Sequence, residues 1–520
     1  MSDHCKASMA SLLLFASIIL QSAIGLRILG LFPYQGKSHF TMCEALMRGL
    51  AAKGHQVDVY SHFPLKSSIP NYKDFSLAGS LPAVANNMTY EDVSKATGTD
   101  MIGLWIGKIG TSVCRLMDHP LFQELFYHPP RDPPYNIIVH EVSVTHCFIP
   151  WGRHLGIPIV AVVTLPLLDW LFEPLGNPIN LSAEPSIFSP YAAPMSFLQR
   201  LDNFIRFKSI NRDFNRFSEE HARYVEKYFG ISDRKPIELI KDVSLVLVNY
   251  DHSISGVRPF APIVVPVGGL HILDHNDSLS EALQTWLDQS DRGFVYVSFG
   301  SMTRLETFPR HVIDTFYKSF QSIAPVRVLL KIAKPEEMPV GMPDNVLVQT
   351  WLLQIQILKH KNIKAFVTHG GLMGSQESIF YGVPMIGIPL FADQFFNIES
   401  YAKKKIALHL NLYELTEESL TSALKEIIYD SSYWNAAQQL SAEFRDRPLS
   451  PIDTATFWIE FIVRRGEDAL KSPLVHMPWW QASLLDVYIF FVLFLIIGSL
   501  LVKIMFNMFV KKIGPKEKNL

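Results

Sequence analysis

The sequence predicts an α/β protein of two doubly wound domains facing a cleft, with one transmembrane helix near the C-terminus. Three observations predict it: a strand-loop-helix-strand grammar that starts after residue 26, the same grammar restarting near residue 290, and an unbroken apolar run at 484–506. With 520 residues, the chain can build two domains that each bury a core. Its 47 basic and 49 acidic residues give a formal net charge of -2, which argues against a nucleic-acid partner.

Taken in order, residues 1–25 hold a short apolar core behind Lys6 and ahead of small residues, the pattern of a cleavable secretory signal. An N-terminal domain over 26–258 follows, with expected strands at 27–32, 56–60, 135–140 and 157–163 and a helix at 41–53 stopped by Gly54. Residues 63–130 are less regular and apolar, and suit mobile helices around a pocket. The stretch 259–270 is poor in helix formers and is expected to be the linker. The C-terminal domain at 271–475 restarts the grammar, with strands at 294–299, 326–332, 345–349, 364–368 and 384–389. Such domains put the carboxyl ends of both sheets on a shared cleft.

Residues 484–506 contain about 20 apolar residues, which at about 1.5 Å each cross a bilayer core. Trp479 and Trp480 stand before the run, and a lysine-rich tail at 507–520 after it, which places the tail in the cytosol and the domains in a lumen. Lys516 and Lys518 resemble the dilysine signal for retrieval to the endoplasmic reticulum. Sequons on the luminal side make Asn87, Asn180 and Asn276 candidate glycosylation sites. Of the four cysteines, Cys5 leaves with the signal; the odd number remaining predicts no disulfide framework, and no CxxC pair supports a metal site.

The densest chemistry lies at 351–394. A strand ends at Thr368, His369-Gly370-Gly371 makes a tight turn, and a helix begins near Gly374, so free N–H groups and the helix dipole meet at a place suited to phosphate. His369 adds a side-chain donor, Glu377 can accept from two ribose hydroxyls, and Trp351 offers a flat face to a base.

With these motifs the sequence resembles the UDP-glycosyltransferase family, its insect and vertebrate membrane-anchored members especially, over nearly the whole chain and most densely at 294–302 and 351–397. The resemblance implies a GT-B fold of two Rossmann-like domains. It also implies donor roles: Trp351 on uracil, Gln354 beside the nucleoside, Ser301 and His369 with amides near Gly374 and Ser375 on the diphosphate, Glu377 on ribose, and Asp393 and Gln394 on the sugar. Two departures stand out: Leu353 where many relatives have proline, and Met373 where vertebrate relatives have a polar asparagine.

His39, in the run Pro33-Tyr34-Gln35-Gly36-Lys37-Ser38-His39-Phe40, matches the loop that carries the family's catalytic histidine, and an imidazole suits general-base work near neutral pH. Glu141 takes the position of the family's catalytic aspartate, while some insect relatives carry an acid where His146 stands here. The implied reaction is a single in-line displacement with inversion. A hexose, glucose if the chain is insect-like and glucuronate if vertebrate-like, moves from its UDP-sugar co-substrate to a small lipophilic hydroxyl, with no cofactor and no metal. A pyridoxal-dependent phosphorylase and a non-catalytic binding or scaffold protein of the same fold are the rival readings, and a homo-oligomer is left open.

Overall fold

The computed structural model of the chain describes residues 25–82, 84, 86–95, 99–273 and 278–513. The expected signal, Asn276, Lys516 and Lys518 lie outside the described residues. Residues up to Lys471 form one unit and Ser472 onward a second.

The first unit holds two parallel sheets. One has seven strands: β1 (Arg27–Phe32), β2 (Gln56–Ser61), β3 (Tyr72–Ser76), β4 (Ile137–Glu141), β5 (Ile159–Val163), β6 (Leu245–Val248) and β7 (Val264–Pro266). Their order is β3-β2-β1-β4-β5-β6-β7. The other has six: β8 (Phe294–Ser298), β9 (Arg327–Lys331), β10 (Val346–Gln349), β11 (Ile363–Thr368), β12 (Met385–Gly387) and β13 (Ala407–His409), in the order β10-β9-β8-β11-β12-β13. In each sheet the direction of winding reverses beside the first strand, between β1 and β4 and between β8 and β11. Loops leaving those strand pairs diverge and open a crevice at the carboxyl ends.

The central strands are apolar on both faces because helices cover both. Along β1 the side chains alternate: Leu29 and Leu31 join a core cluster that continues into the second sheet, while Ile28 and Phe32 join one beneath the Lys37–Ala52 helix. The helix Pro451–Arg465 falls inside the expected second domain, yet Ala455, Ile459 and Ile462 pack into that same cluster under the first sheet. Its apolar stripe matches the open face left by the Lys37–Ala52 helix, so the chain returns to the domain it began in.

Two further expectations need correction. The stretch expected to be linker supplies β7, whose Val264–Pro266 backbone pairs with β6 as the edge of the first sheet. Cys114 and Cys147 form a disulfide across 33 residues, leaving Cys43 buried and free. Counting cysteines could not show it, because the pair forms only once the helical segment around Cys114 packs on the turn after β4. Residues 63–130 do form short helices, but also the parallel edge strand β3.

In the second unit, the helix Leu485–Ile513 runs 29 residues and is apolar and long enough to cross a membrane. It begins near the expected start and continues past the expected end at residue 506. Trp479 and Trp480 lie exposed just before it.

Candidate active site

His39 stands in the first turn of the Lys37–Ala52 helix rather than in the loop before it. Gly36 caps that helix, and its carbonyl accepts from the Phe40 amide at 3.0 Å, so the turn closes four residues earlier than expected. Glu141 is the last residue of β4, the strand beside β1. The switch in strand order thus brings together two residues 102 positions apart: His39 Nδ1 lies 3.3 Å from Glu141 Oε1. The Thr164 hydroxyl, one residue past β5, lies 2.7 Å from the same nitrogen. A carboxylate only accepts, so in the neutral ring Nδ1 carries the hydrogen and Nε2 keeps its lone pair.

Glu141 is 2% exposed, and burial by itself would raise its carboxyl. The hydrogen bond and charge of His39, with a bond from Ser143, outweigh burial and hold the carboxyl below its ordinary value. His146 does not compete for the role: it is fully buried with its ring 4.8 Å from Phe214 and lies outside the cavity lining.

In the second half, His369 follows β11 at the other switch point and is wedged between two glycines. A Cβ on Gly300 or Gly371 would come within 2.7 Å of its ring, and Gly300 also holds φ +79°, so neither position admits a side chain without moving the imidazole. The helix Leu372–Phe380 starts directly after Gly371. Gln354 accepts from the Tyr296 hydroxyl at 3.0 Å and donates to Glu377 Oε2 at 2.7 Å, which fixes its amide orientation. His271 Nε2 donates to the Met373 carbonyl at 3.2 Å and lies 3.6 Å from Glu377 Oε1. Asp393 follows Ala392, which holds φ +57°, and accepts from Asn397 at 2.7 Å. Gln394 Oε1 accepts from the Leu390 and Phe391 amides at 2.8 and 3.1 Å, leaving its amide nitrogen as the remaining donor.

One cavity of ≈ 260 Å³ collects these side chains. His39, Ser301, Trp351, Gln354, His369, Gly374, Glu377, Asp393 and Gln394 all line it, whereas Glu141 sits behind His39 and Ser375 is fully buried in its helix. Burial pushes Glu377 up to about 7, the Gln354 bond opposing it. Asp393 rises to about 6 for the same reason, against its Asn397 bond, its own backbone and the charge of His39. His369 falls to about 4 through burial and the charge of Lys331, and is neutral at physiological pH. Sequence reasoning missed Thr164, Tyr296 and Lys331. Thr164 and Lys331 are polar groups at or just past the end of an apolar strand, which is the signal for them, while Tyr296 stands mid-strand in β8.

Solved glycosyltransferases share this architecture. UGT2 of Phytolacca americana, complexed with UDP-2fluoro-glucose and pterostilbene, is 16% identical, has a TM-score of 0.57, and is matched over 85% of this chain and 100% of that one. Os79 from O. sativa, in complex with UDP, is 15% identical with a TM-score of 0.58 over 84% and 100%. Two parallel-sheet domains sharing one cleft therefore define a glycosyltransferase fold of the GT-B type. The family model described as UDP-glucoronosyl and UDP-glucosyl transferase matches residues 136–519. UDP-glucosyltransferase 2 of Dactylopius coccus is 32% identical over 484 residues, 91% of each chain, and UDP-glucuronosyltransferase 1A4 of Homo sapiens is 28% identical over 88% of this chain and 86% of its own. The chain belongs to the UDP-glycosyltransferase family, as a transferase whose donor is a UDP-sugar.

Proposed function

We infer that the protein is an inverting, membrane-anchored transferase that moves glucose from UDP-glucose to the hydroxyl of a small lipophilic acceptor. The observation that carries this reading is the orientation of His39: Nδ1 is tied to Glu141 and Thr164, and the ring lines the same cavity as His369, Glu377 and Asp393. His39 Nε2 takes the acceptor proton as the acceptor oxygen attacks the anomeric carbon, and Glu141 holds the tautomer and offsets the imidazolium charge. Trp351 stacks on uracil, Gln354 and Glu377 hold the nucleoside, and Ser301, His369 and the amides near Gly374 and Ser375 meet the diphosphate. Asp393 and Gln394 meet the hexose. Amides and the helix dipole take the charge-stabilising role a metal fills elsewhere. An α-linked donor then yields a β-glycoside.

A lipophilic acceptor is supported by Trp105, Leu165 and Phe391 in the lining, and glucose by the insect relative described as a glucosyltransferase. We place the domains in the lumen of the endoplasmic reticulum behind the N-terminal signal. The Leu485–Ile513 helix spans the membrane, Lys516 and Lys518 serve retrieval, and Asn87, Asn180 and Asn276 are glycan acceptors. Detoxification of apolar compounds is the role this arrangement fits. Microsomes expressing the chain, given UDP-glucose, UDP-glucuronate and mixed phenols, should release β-glucosides by mass spectrometry, and His39→Ala microsomes should not. No product from either would favour a sugar-nucleotide-binding scaffold, and equal yields from both would take the base role away from His39.

A further inference from the structure

We propose that Lys331 is the cation that meets the donor's diphosphate and offsets the charge gained by UDP as it leaves. The inference rests on the reading of the cavity as the donor site. Lys331 ends β9, the strand beside β8, and lines that cavity. Its ammonium donates to the Gly300 carbonyl at 2.8 Å and to Asn86 Oδ1 at 3.2 Å, and lies 5.9 Å from the centre of the Trp351 ring. Each of these partners is uncharged. The other lysine of the lining, Lys37, already faces Glu44 at 3.4 Å. The acid that acts on Lys331 from a distance, Glu306, is itself bonded to Arg304 at 3.1 Å. A half-buried ammonium with only neutral partners bears a desolvation penalty that an anionic ligand relieves, and burial accordingly pulls the Lys331 amine below its ordinary value.

The position points to phosphate rather than to the base. Gly300, which holds the ammonium, packs against His369, and the Leu372–Phe380 helix begins two residues beyond Gly370. His369 is neutral here, so it contributes a hydrogen bond and no charge. Helix amides contribute partial charges only. Lys331 therefore supplies the full positive charge. On donor binding its ammonium exchanges the Asn86 oxygen for phosphate oxygen. In the transfer, the bond from the anomeric carbon to the β-phosphate oxygen breaks with its electron pair left on that oxygen. The acceptor oxygen bonds to the anomeric carbon, and the acceptor proton passes to His39. The extra negative charge appears on UDP, beside Lys331.

The test is binding of UDP and of uridine to the full-length protein, read by tryptophan fluorescence, for wild type, Lys331→Gln and Lys331→Arg. Lys331→Gln should weaken UDP by about 10–100-fold while uridine stays within about twofold, and Lys331→Arg should restore most of the UDP affinity. Equal losses for both ligands would make the lysine a packing residue and overturn the inference. So would an unchanged UDP affinity, or a defect confined to turnover of UDP-glucuronate, which would assign the charge to a uronate carboxyl. Wild type that bound neither ligand would instead bring down the donor site itself, and the lysine's role with it.

Discussion

On the proposed donor site, protonation of Glu377 should govern how tightly the cavity holds a nucleoside. Burial pushes this carboxyl up to about 7, with the Gln354 amide pulling the other way from 2.7 Å. Only the ionised carboxylate accepts from two ribose hydroxyls at once. With its midpoint at about 7, roughly one carboxyl in eleven is ionised at pH 6 and roughly ten in eleven at pH 8. Uridine affinity should therefore rise about tenfold between those values, with protons released on binding at the acid end. Uridine carries neither phosphate nor hexose, so Lys331, His369 and Asp393 drop out of the measurement. The titratable neighbour that stays is His271, 3.6 Å away, which burial holds at about 4 and so neutral across the range. Calorimetry in buffers of different ionisation enthalpy reads both the affinity and the proton release. Glu377→Gln should bind weakly and without pH dependence. A flat wild-type profile, or an equal slope in the variant, would refute the reasoning.

The same raised carboxyl makes a stability prediction with a defined sign. In the unfolded chain it ionises near 4.5, in the fold near 7, so its contribution to stability is complete below about 4.5 and lost as pH rises through about 7. Ligand-free Glu377→Gln should then melt above wild type at pH 8, and this advantage should vanish at pH 4.5.

His39→Ala should lower kcat by about 10²–10⁴ with donor affinity unchanged, measured by single-turnover kinetics. Glu141→Gln should lower kcat in the same direction by less, because Thr164 at 2.7 Å still holds Nδ1, and the double variant with Thr164→Val should approach the His39→Ala value. Cys114→Ser opens a disulfide spanning 33 residues and should reduce stability by about 3–4 kcal/mol in denaturant titrations. Ile459→Ala on the returning helix should lose about 2–5 kcal/mol, since the residue is fully buried under the first sheet.

Local grammar made most strands of both sheets legible, because buried parallel strands are short unbroken apolar runs. It passed over four strands: the fully buried run Leu245–Val248, the three-residue edge Ala407–His409, and two that are half exposed or hidden by context. Tyr72–Ser76 alternates like a loop, and Val264–Pro266 stands among prolines that read as a boundary. The helix at Pro451–Arg465 was not singled out in the sequence, and nothing in its stripe names the sheet it covers. The Cys114–Cys147 bond was invisible for a related reason: it depends on where two segments meet in space.

The site divides along the same line. His369, Glu377, Asp393 and Gln394 come from one continuous stretch, so their spacing alone conveys much of their geometry. His39 and Glu141 come from separate segments, and what joins them is the reversal of winding that makes β1 and β4 neighbours. The same reversal sets Gly300, after β8, against His369, after β11. Each half thus presents its chemistry at its own switch point. Thr164 lies just past β5, next to β4, and Lys331 ends β9, next to β8, so each stands one strand further along the carboxyl edge of its sheet. Polar groups ending apolar strands face the crevice wherever winding reverses, because the diverging loops cannot cover them there. Strand order therefore turns an unremarked Thr or Lys at the end of a Val or Leu run into a group that can reach the ligand.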